Sequence, residues 1–217
     1  VVGKEDVAGF ASSHGLSIEE AAREVRYRFL FQQAEQHHAL GVAVGHNADD
    51  QVETVLMHLL RGSGLDGLRG MSVYSLPHAW SASIPLLRPL LGVWREEILA
   101  HLAEHHLQPN QDASNLDTRY FRNRLRHELV PHLEALKPGA RQHIWRMSEL
   151  LREEAAVLDI QVEAAWQTCC RETGTGFVAF DASRLQAEPL ATQRRLVLRG
   201  ISRLNHGLRD IDYAAVE

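Results

Sequence analysis

Hydrophobic positions in the first part of the chain recur with a helical period. Ser17 and Glu20 have the spacing of a capping box, and apolar residues then follow at intervals of three and four positions. This pattern predicts a helix over residues 18–39, with Gly41 just past its end. The run 42–44 is short and apolar on both sides, which is typical of a buried parallel strand.

A second helix is predicted to begin at Ala48, with Asn47 as its N-cap and Asp50 in its first turn, and to end by Gly62. Helix, strand and helix in this order form one unit of a doubly wound α/β sheet. The Pro-punctuated apolar stretch 84–91 is predicted to be extended.

The remaining pattern is mainly helical. Helices are predicted over residues 92–106 and 120–130, with Pro131 beginning a new turn, and again over 183–204. A long amphipathic helix is predicted between the break at Lys137-Pro138-Gly139 and a second break at 174–176, and a strand is predicted at 177–180. The sequence therefore predicts a partial doubly wound parallel sheet over residues 1–133 and a small, mainly helical domain over 134–217.

Composition adds limits to this picture. The formal net charge is −5 over 217 residues, which still allows nucleic-acid binding through a local basic stripe. The two cysteines, Cys169 and Cys170, are adjacent, so neither a disulfide framework nor a cysteine-based zinc site is expected, and a reducing cytoplasm is the natural location. No apolar run approaches the roughly 20 residues that a membrane helix needs, and no membrane association is expected.

A glycine run after the second predicted helix has the spacing G-x-G-x-x-G, at Gly62, Gly64 and Gly67. The dinucleotide-binding fingerprint requires a strand before these glycines and a helix after them. Here a helix precedes them, so we interpret the run as a tight loop at a helix end. A loop that closes over a substrate is the alternative.

An acidic cluster with a histidine follows the predicted strand. His46 lies in the turn, and Asp49, Asp50 and Glu53 lie in the first turns of the next helix. Ligands bind at this edge of α/β sheets, and Asp50 and Glu53 share a helix face. Such carboxylates can hold an ammonium group, hold Mg²⁺ or accept a proton. The alternatives are a metal-hydrolase site and carboxylates that merely suit the helix dipole.

Several spaced motifs together resemble one family. H-N-A-D-D-Q-V-E-T and L-L-R-G-S-G-L-D-G-L-R-G-M resemble the tRNA(Ile)-lysidine synthetases, which are N-type ATP pyrophosphatases of the PP-loop superfamily. Similar agreement is found in A-R-E-V-R-Y at 22–27, in R-P-L at 88–90, in D-A-S-N at 112–115 and in R-N-R-L-R at 122–126. The resemblance extends from about Gly3 to His143 and implies an adenine-nucleotide alpha-hydrolase-like fold.

The chain departs from the family pattern at one motif. The phosphate-binding S-G-G-x-D-S loop is absent, and the chain starts at Val1-Val2 without a methionine. We therefore expect an N-terminal truncation, in which residues 1–133 are the C-terminal part of the nucleotide-binding domain. Residues 134–217 would then form the helical domain that binds substrate and tRNA. On this interpretation the truncated chain alone is inactive.

The resemblance implies an enzyme that modifies tRNA, with ATP and Mg²⁺ as cofactors. The C2 oxygen of the wobble cytidine of an isoleucine tRNA with a CAU anticodon attacks ATP, pyrophosphate leaves, and C2 is activated as an adenylate. The side-chain amine of L-lysine then attacks C2, AMP leaves, and lysidine is formed. A homodimer is also implied. Two alternatives stay open: another PP-loop tRNA-modifying enzyme, such as a thiolase, or an inactive fragment that only binds tRNA.

The resemblance also implies roles for individual residues. Catalytic roles are expected for Asp50, Arg26 and His46. The ammonium groups of lysine are expected at Asp50 and Glu53, and ATP is expected at Arg26, Gly45 and His46. No side-chain metal site is expected.

A basic segment is the expected tRNA contact. Arginines crowd into eight positions among aromatic residues, a composition suited to phosphate neutralisation and base stacking. The alternative is a helix surface on which these arginines pair with Asp117 and Glu128. The expected tRNA-binding residues are Arg119, Arg122, Arg124 and Arg126.

Overall fold

The computed structural model describes residues 1–110 and 119–204. By its internal contacts the chain divides into two compact units. The first unit comprises residues 1–57 and 71–141, and the second comprises residues 58–70 and the chain from residue 142 onward. The domain boundary expected after residue 133 stays a prediction. Asp117, expected as an arginine partner, and the D-A-S-N segment at 112–115 lie outside the described residues.

The first unit is an α/β structure with a small sheet. Its elements in chain order are α1 (Val7–His14), α2 (Ile18–Gln36), β1 (Val42–Ala43), most of α3 (Ala48–Leu60), β2 (Tyr74–Ser75), β3 (Leu86–Leu87), α5 (Arg95–Glu104), α6 (Phe121–Arg124), a π-helical turn (Leu125–Leu129) and α7 (Val130–Leu136).

The sheet has the strand order β1-β3-β2. β1 and β3 are parallel, with Val42 opposite Leu86, and helix α3 lies in the crossover between them. β2 and β3 are antiparallel, with Ser75 opposite Leu86, because a loop rather than a crossover joins these consecutive strands. The α/β class is confirmed, whereas the described sheet is mixed and only one of its two pairs is parallel.

The core of this unit lies between α2 and the sheet. Tyr27 and Phe31 of α2 pack with Val42 of β1 and Leu86 of β3, and all four side chains are buried. Successive turns of α2 therefore face the strands. α3 buries Val52, Val55 and Leu56.

The capping box at the start of α2 is present as predicted. The Glu20 amide donates to the Ser17 hydroxyl at 3.2 Å, and the Ser17 amide donates to the Glu20 carboxylate at 3.0 Å. The helix ends at Gln36, three residues earlier than predicted, and His38 follows with a φ of 51°. An N-cap that bonds both ways fixes the helix start and hence the positions of the side chains one and two turns later.

We expect Ser17→Ala to lower the free energy of unfolding by about 1 kcal/mol, because the Glu20 amide in the first turn of α2 loses its acceptor, the Ser17 hydroxyl. Urea denaturation followed by circular dichroism measures the change. Ser12→Ala is the matched control, since the Ser12 hydroxyl donates only to the Ala8 carbonyl of its own helix. Equal losses in the two variants would show that the cap contributes nothing specific.

The helical segment after residue 120 is continuous through Pro131, where a new turn was predicted. The Val130 amide donates to the Leu125 carbonyl, five residues back, and closes a π-helical turn immediately before the proline. A proline ring inside an α-helix clashes with the carbonyl four residues earlier, here that of His127. A widened turn at this point lets the chain stay helical, and π turns often occur at functional sites.

The second unit is mainly helical, as predicted. Its elements are the end of α3, α4 (Leu65–Leu68), α8 (Ala140–Cys169), β4 (Cys170–Gly174), β5 (Phe177–Phe180), α9 (Ala182–Ala187) and α10 (Leu190–Leu204). β4 and β5 form an antiparallel hairpin. β4 was missed because its sequence, C-R-E-T-G, carries no apolar alternation, and four of its five residues are exposed.

Buried apolar residues of α8 and α10 form the core of this unit. Val162, Trp166 and Cys169 of α8 pack with Leu196 of α10, and Phe180 of β5 meets the Trp166 ring edge-on at 5.4 Å. Among the described helices, none is both long and apolar enough to cross a membrane.

The glycine run forms a tight loop, as interpreted from the sequence. Gly62 follows α3 with a φ of 75°, and Gly64 caps the single turn α4. A Cβ at Gly67 would lie 2.4 Å from the Ser63 Cβ, so the chain approaches itself too closely there for a side chain. Helix α3, rather than a strand, directly precedes these glycines, so the dinucleotide fingerprint does not apply.

Candidate active site

The polar cluster lies where β1 ends and α3 begins. The Asp50 amide donates to the Asn47 side-chain oxygen at 3.0 Å, and the Asn47 amide donates to the Asp50 Oδ2 at 3.0 Å. This reciprocal cap satisfies two amides that the helix leaves free. It also fixes the Asp50 carboxylate at the carboxyl edge of the parallel strand pair, where α/β sheets bind ligands.

Two arginines neutralise the carboxylates of Asp50 and Glu53. Arg122 donates through Nε to Glu53 at 2.8 Å and through its terminal nitrogen to Asp50 at 3.2 Å. Arg126 donates through Nε to Glu53 at 2.6 Å and through its terminal nitrogen to Asp50 at 3.1 Å. We call these four residues the carboxylate–arginine cluster. Its ion pairs join α3 to the helix over residues 121–129.

The members of the cluster differ in exposure. The Glu53 side chain is only 3% exposed, and both its oxygens accept from arginine, whereas Asp50, Arg122 and Arg126 keep 17–26% of their side-chain surface. Burial by itself lowers the pKa of the Arg126 guanidinium, but the hydrogen bond that it donates to Glu53 and the charges of Glu53 and Asp50 raise this pKa overall. Arg126 is thus a fixed cation, because it donates to both oxygens of the buried Glu53 carboxylate.

A cavity of about 410 Å³ opens above this cluster. It brings together most of the residues that the sequence singled out, although they come from separate segments of the first unit. The predicted site residues in its lining are Arg26, His46, Asp50, Arg122 and Arg126. Arg26 is exposed on α2 and makes no ion pair with the described residues, so its charge is available to an anion.

His46 lies half-buried in the wall of this cavity. Burial is the main cause that lowers the pKa of the imidazole to about 4, and the positive charges of Arg122, Arg88 and Arg23 lower it further against the opposing charge of Asp50. The ring is therefore neutral at pH 7. Its Nδ1 is buried and has no hydrogen-bond partner among the described residues. A neutral imidazole with a free ring nitrogen can donate to a ligand or accept a proton.

The depressed pKa of His46 makes stability depend on pH in a defined window. In the unfolded chain the His46 imidazole is protonated as the pH falls below 6.5, whereas in the folded chain it is protonated only near pH 4. The free energy of unfolding therefore decreases as the pH falls between these two values. We expect the free energy of unfolding to fall less over this window in His46→Gln than in the unsubstituted protein. Equal slopes, or a His46 ring that titrates near pH 6.5 by NMR, would contradict the assignment.

The remaining predicted residues lie outside the lining of this cavity. Gly45 is exposed beside His46, with open space where a side chain would stand. Glu53 lies beneath the arginines. Arg124 is 59% exposed and pairs with Glu128, so here the alternative of a surface pair fits the structure. Arg119 is exposed before α6. The tRNA-binding roles of these arginines stay predictions.

Sequence reasoning missed part of the lining. Arg23 and Tyr27 of α2 face the same cavity as Arg26, and the Arg23 guanidinium lies 4.9 Å from the centre of the Tyr27 ring. The signal was present in A-R-E-V-R-Y, because positions 23, 26 and 27 share a helix face. Tyr120 and Asn123 complete the rim.

Arg88 of the R-P-L segment is a buried cation near the site, only 6% exposed. One terminal nitrogen donates to the Ser72 carbonyl at 2.8 Å and to the Ser75 hydroxyl at 3.0 Å. Its charge contributes to keeping His46 neutral. This role could not be predicted from the sequence, because R-P-L indicates only part of a strand.

Asp49 belongs to a different network. It accepts from Arg141 at 2.9 Å and from the Arg95 amide at 2.9 Å, and Arg141 also pairs with Glu96 at 3.0 Å. The Asp49 side chain therefore connects the start of α5 with Arg141, the last residue of the first unit. Its position next to Asp50 in the sequence does not make it part of the cavity.

The cluster does not fit a metal ion bound by its side chains. A divalent cation prefers carboxylate oxygens that carry no competing positive charge. Here both oxygens of Glu53 and the Oδ1 of Asp50 accept from guanidinium groups, and the Asp50 Oδ2 accepts from an amide. A metal-hydrolase site at His46, Asp50 and Glu53 would require the ion pairs between these carboxylates and the two arginines to break.

The fold and this geometry define a class. Helices packed on a sheet with a parallel strand pair, and a basic cavity at the strand ends, are typical of α/β domains that bind nucleotides or other phosphates. The family model described as the PP-loop domain matches residues 2–133. The chain belongs to this PP-loop domain family, whose members use ATP.

Two curated relatives carry the same name. The chain is 38% identical over 213 residues to "tRNA(Ile)-lysidine synthase" of Geobacter sulfurreducens, a match that covers 98% of this chain and 44% of the relative. It is 36% identical over 216 residues to the protein of the same name from Dehalococcoides mccartyi, covering 99% and 45%. The resemblance to tRNA(Ile)-lysidine synthetases is confirmed. The chain spans less than half the length of these relatives.

One solved structure is similar at a lower level. The U34-tRNA thiolase NcsA from Methanococcus maripaludis, with its 4Fe–4S cluster, is 23% identical and covers 60% of this chain and 43% of that chain, with a TM-score of 0.43. A likeness of this size carries no argument about function.

Proposed function

We propose that this chain is part of an enzyme that ligates L-lysine to C2 of the wobble cytidine of an isoleucine tRNA with a CAU anticodon, at the expense of ATP. The observation that carries the proposal is the 36–38% identity to tRNA(Ile)-lysidine synthases over nearly the whole chain. The cavity beside the carboxylate–arginine cluster is the proposed site of the reaction.

The positive charges around the cavity suit the phosphates of ATP. Arg26 is free to bind a phosphate, and Arg122 adds a second cation in the lining. Fixed cations stabilise the negative charge that develops as pyrophosphate leaves. Since the cluster does not fit Mg²⁺, the proposed Mg²⁺ would be held mainly by the phosphates of ATP, as is common for this ion.

Lysine brings ammonium groups, which need carboxylates. Asp50 retains 17% exposure and lines the cavity, so it is the proposed first contact for an ammonium group. Glu53 is buried beneath two guanidinium groups that donate to both of its oxygens, so it becomes available only if these arginines move away. Neutral His46, with its free Nδ1, is the proposed partner for the proton that the attacking amine must lose.

The test uses the full-length gene product. We expect ATP to be converted to AMP and pyrophosphate only when lysine and the isoleucine tRNA are both present. Turnover that does not require lysine would assign the protein to another PP-loop activity. Absence of any turnover in the full-length protein would support a tRNA-binding role without catalysis.

Oligomeric state and cellular location complete the proposal. A homodimer stays a prediction, which light scattering after size-exclusion chromatography checks. Cys169 and Cys170 are both free thiols. Free thiols suit the reducing cytoplasm, where tRNA is modified.

A further inference from the structure

The last turn of α5 carries a cluster of metal-ligating side chains that the proposed reaction does not use. His101, Glu104 and His105 are spaced i, i+3 and i+4, so they share one helix face. One ligand atom from each lies within 4.8 Å of the others, and all three residues are exposed. The two imidazole rings are 4.2 Å apart between centroids, with an interplanar angle of 38°.

Local hydrogen bonding prepares one of the two histidines for a metal. The His105 Nδ1 lies 2.9 Å from the His101 carbonyl oxygen, which can only accept, so Nδ1 carries the proton. This tautomer leaves the Nε2 lone pair of His105 free. Histidines that bind metals usually donate their other ring N–H in this way, often to a backbone carbonyl, which fixes the ring orientation.

The position on the helix favours a cation. The backbone carbonyls at the C-terminal end of a helix give it a partial negative charge. His101 lies in the last turn of α5 and His105 is its C-cap, so an ion bound between them is next to these carbonyls. The Glu104 carboxylate adds a full negative charge to the same face.

We propose that His101, Glu104 and His105 form a surface site for a borderline divalent transition-metal ion of the Zn²⁺ type. Two imidazoles and one carboxylate suit such an ion, whereas Mg²⁺ prefers oxygen ligands only. The three side chains leave further coordination positions open to water. This site is independent of the proposed lysine-ligating activity, so each stands or fails separately.

Isothermal titration of the whole chain with Zn²⁺ tests the proposal. We expect His101→Gln and His105→Gln each to weaken the tightest Zn²⁺ association at least about tenfold, because each removes one of three ligands. Mg²⁺ should not compete. Substoichiometric Cu²⁺, which is paramagnetic, should broaden the NMR signals of these two rings before those of other histidines.

His132→Gln is the matched control, since His132 is an exposed histidine on α7 outside the cluster, and its Zn²⁺ affinity should be unchanged. Circular dichroism should show the same fold in all variants, as these side chains are exposed. An unchanged affinity in His101→Gln and His105→Gln would overturn the proposal, as would the absence of Zn²⁺ binding by the unsubstituted chain.

Discussion

Glu53→Gln should lower the free energy of unfolding of this protein by about 3 kcal/mol, because it removes the buried partner of two guanidinium groups. Glu53 is 3% exposed, and it accepts from Arg122 at 2.8 Å and from Arg126 at 2.6 Å. A glutamine of the same size can satisfy part of this geometry, but its amide carries no charge and its NH₂ group faces donors. Breaking one side of a buried ion pair leaves charge uncompensated, which costs more than the intact pair contributes.

Chemical denaturation, with the denaturant slope checked for a single transition, measures this loss. Glu128→Gln is the matched control because Glu128 pairs with Arg124 on the surface, where both side chains are more than half exposed. That variant should change stability by no more than about 0.5 kcal/mol. If Glu53→Gln were equally mild, the cluster would not be what joins α3 to the helical segment over residues 121–129.

Asp50→Asn should reduce the lysine-dependent formation of AMP by the full-length protein roughly 10²–10³-fold, the usual cost of one electrostatic contact in an active site. The asparagine keeps the side-chain oxygen that accepts the Asn47 amide at 3.0 Å, so α3 should still begin at the same residue. What is lost is the only carboxylate of the cluster that lines the cavity. The loss should therefore appear in activity rather than in the fold.

Asp66→Asn provides the comparison for this substitution. Asp66 is 53% exposed on α4 and pairs with Arg69 and Arg195 in the second unit, so its amide variant should retain full activity. Circular dichroism and the unfolding midpoint report whether either variant is misfolded. An active Asp50→Asn enzyme would remove Asp50 from the proposed lysine contact.

Local patterns were sufficient to predict most of the helices. Ser17 and Glu20 marked the start of α2, and Asn47 with Asp50 marked the start of α3, because a capping pair acts within four residues. The strand Cys170–Gly174 was missed because it gains its partners from β5 and its own residues are polar. Strand formation depends on the neighbour across the ladder, which the local sequence does not contain.

The sequence identified the residues of the site but did not show that its carboxylates form ion pairs with its arginines. Asp50 and Glu53 were recognised as one helix face, and Arg122 and Arg126 as a basic segment, yet one pair was expected to bind lysine and the other tRNA. The structure pairs them across 69 to 76 positions of sequence. Only the tertiary fold sets such contacts, so the sequence could not show that the carboxylates already hold cations.

The pKa of His46 illustrates the same limit. Its position after a buried strand predicted a site residue, but burial and the charges of Arg23, Arg88 and Arg122 decide its protonation. These arginines come from three distant segments of the chain. The neutral state of the imidazole at pH 7 is therefore a property of the fold.

Mass spectrometry of the anticodon nucleosides is the most direct test of the proposed function. The full-length protein is incubated with ATP, an isoleucine tRNA with a CAU anticodon and L-lysine labelled with ¹⁵N at the side-chain nitrogen. The expected product is a cytidine-derived nucleoside that carries the lysine and the label at C2. An unmodified cytidine after complete reaction, or a nucleoside that contains sulfur and no lysine, would contradict the proposed ligation.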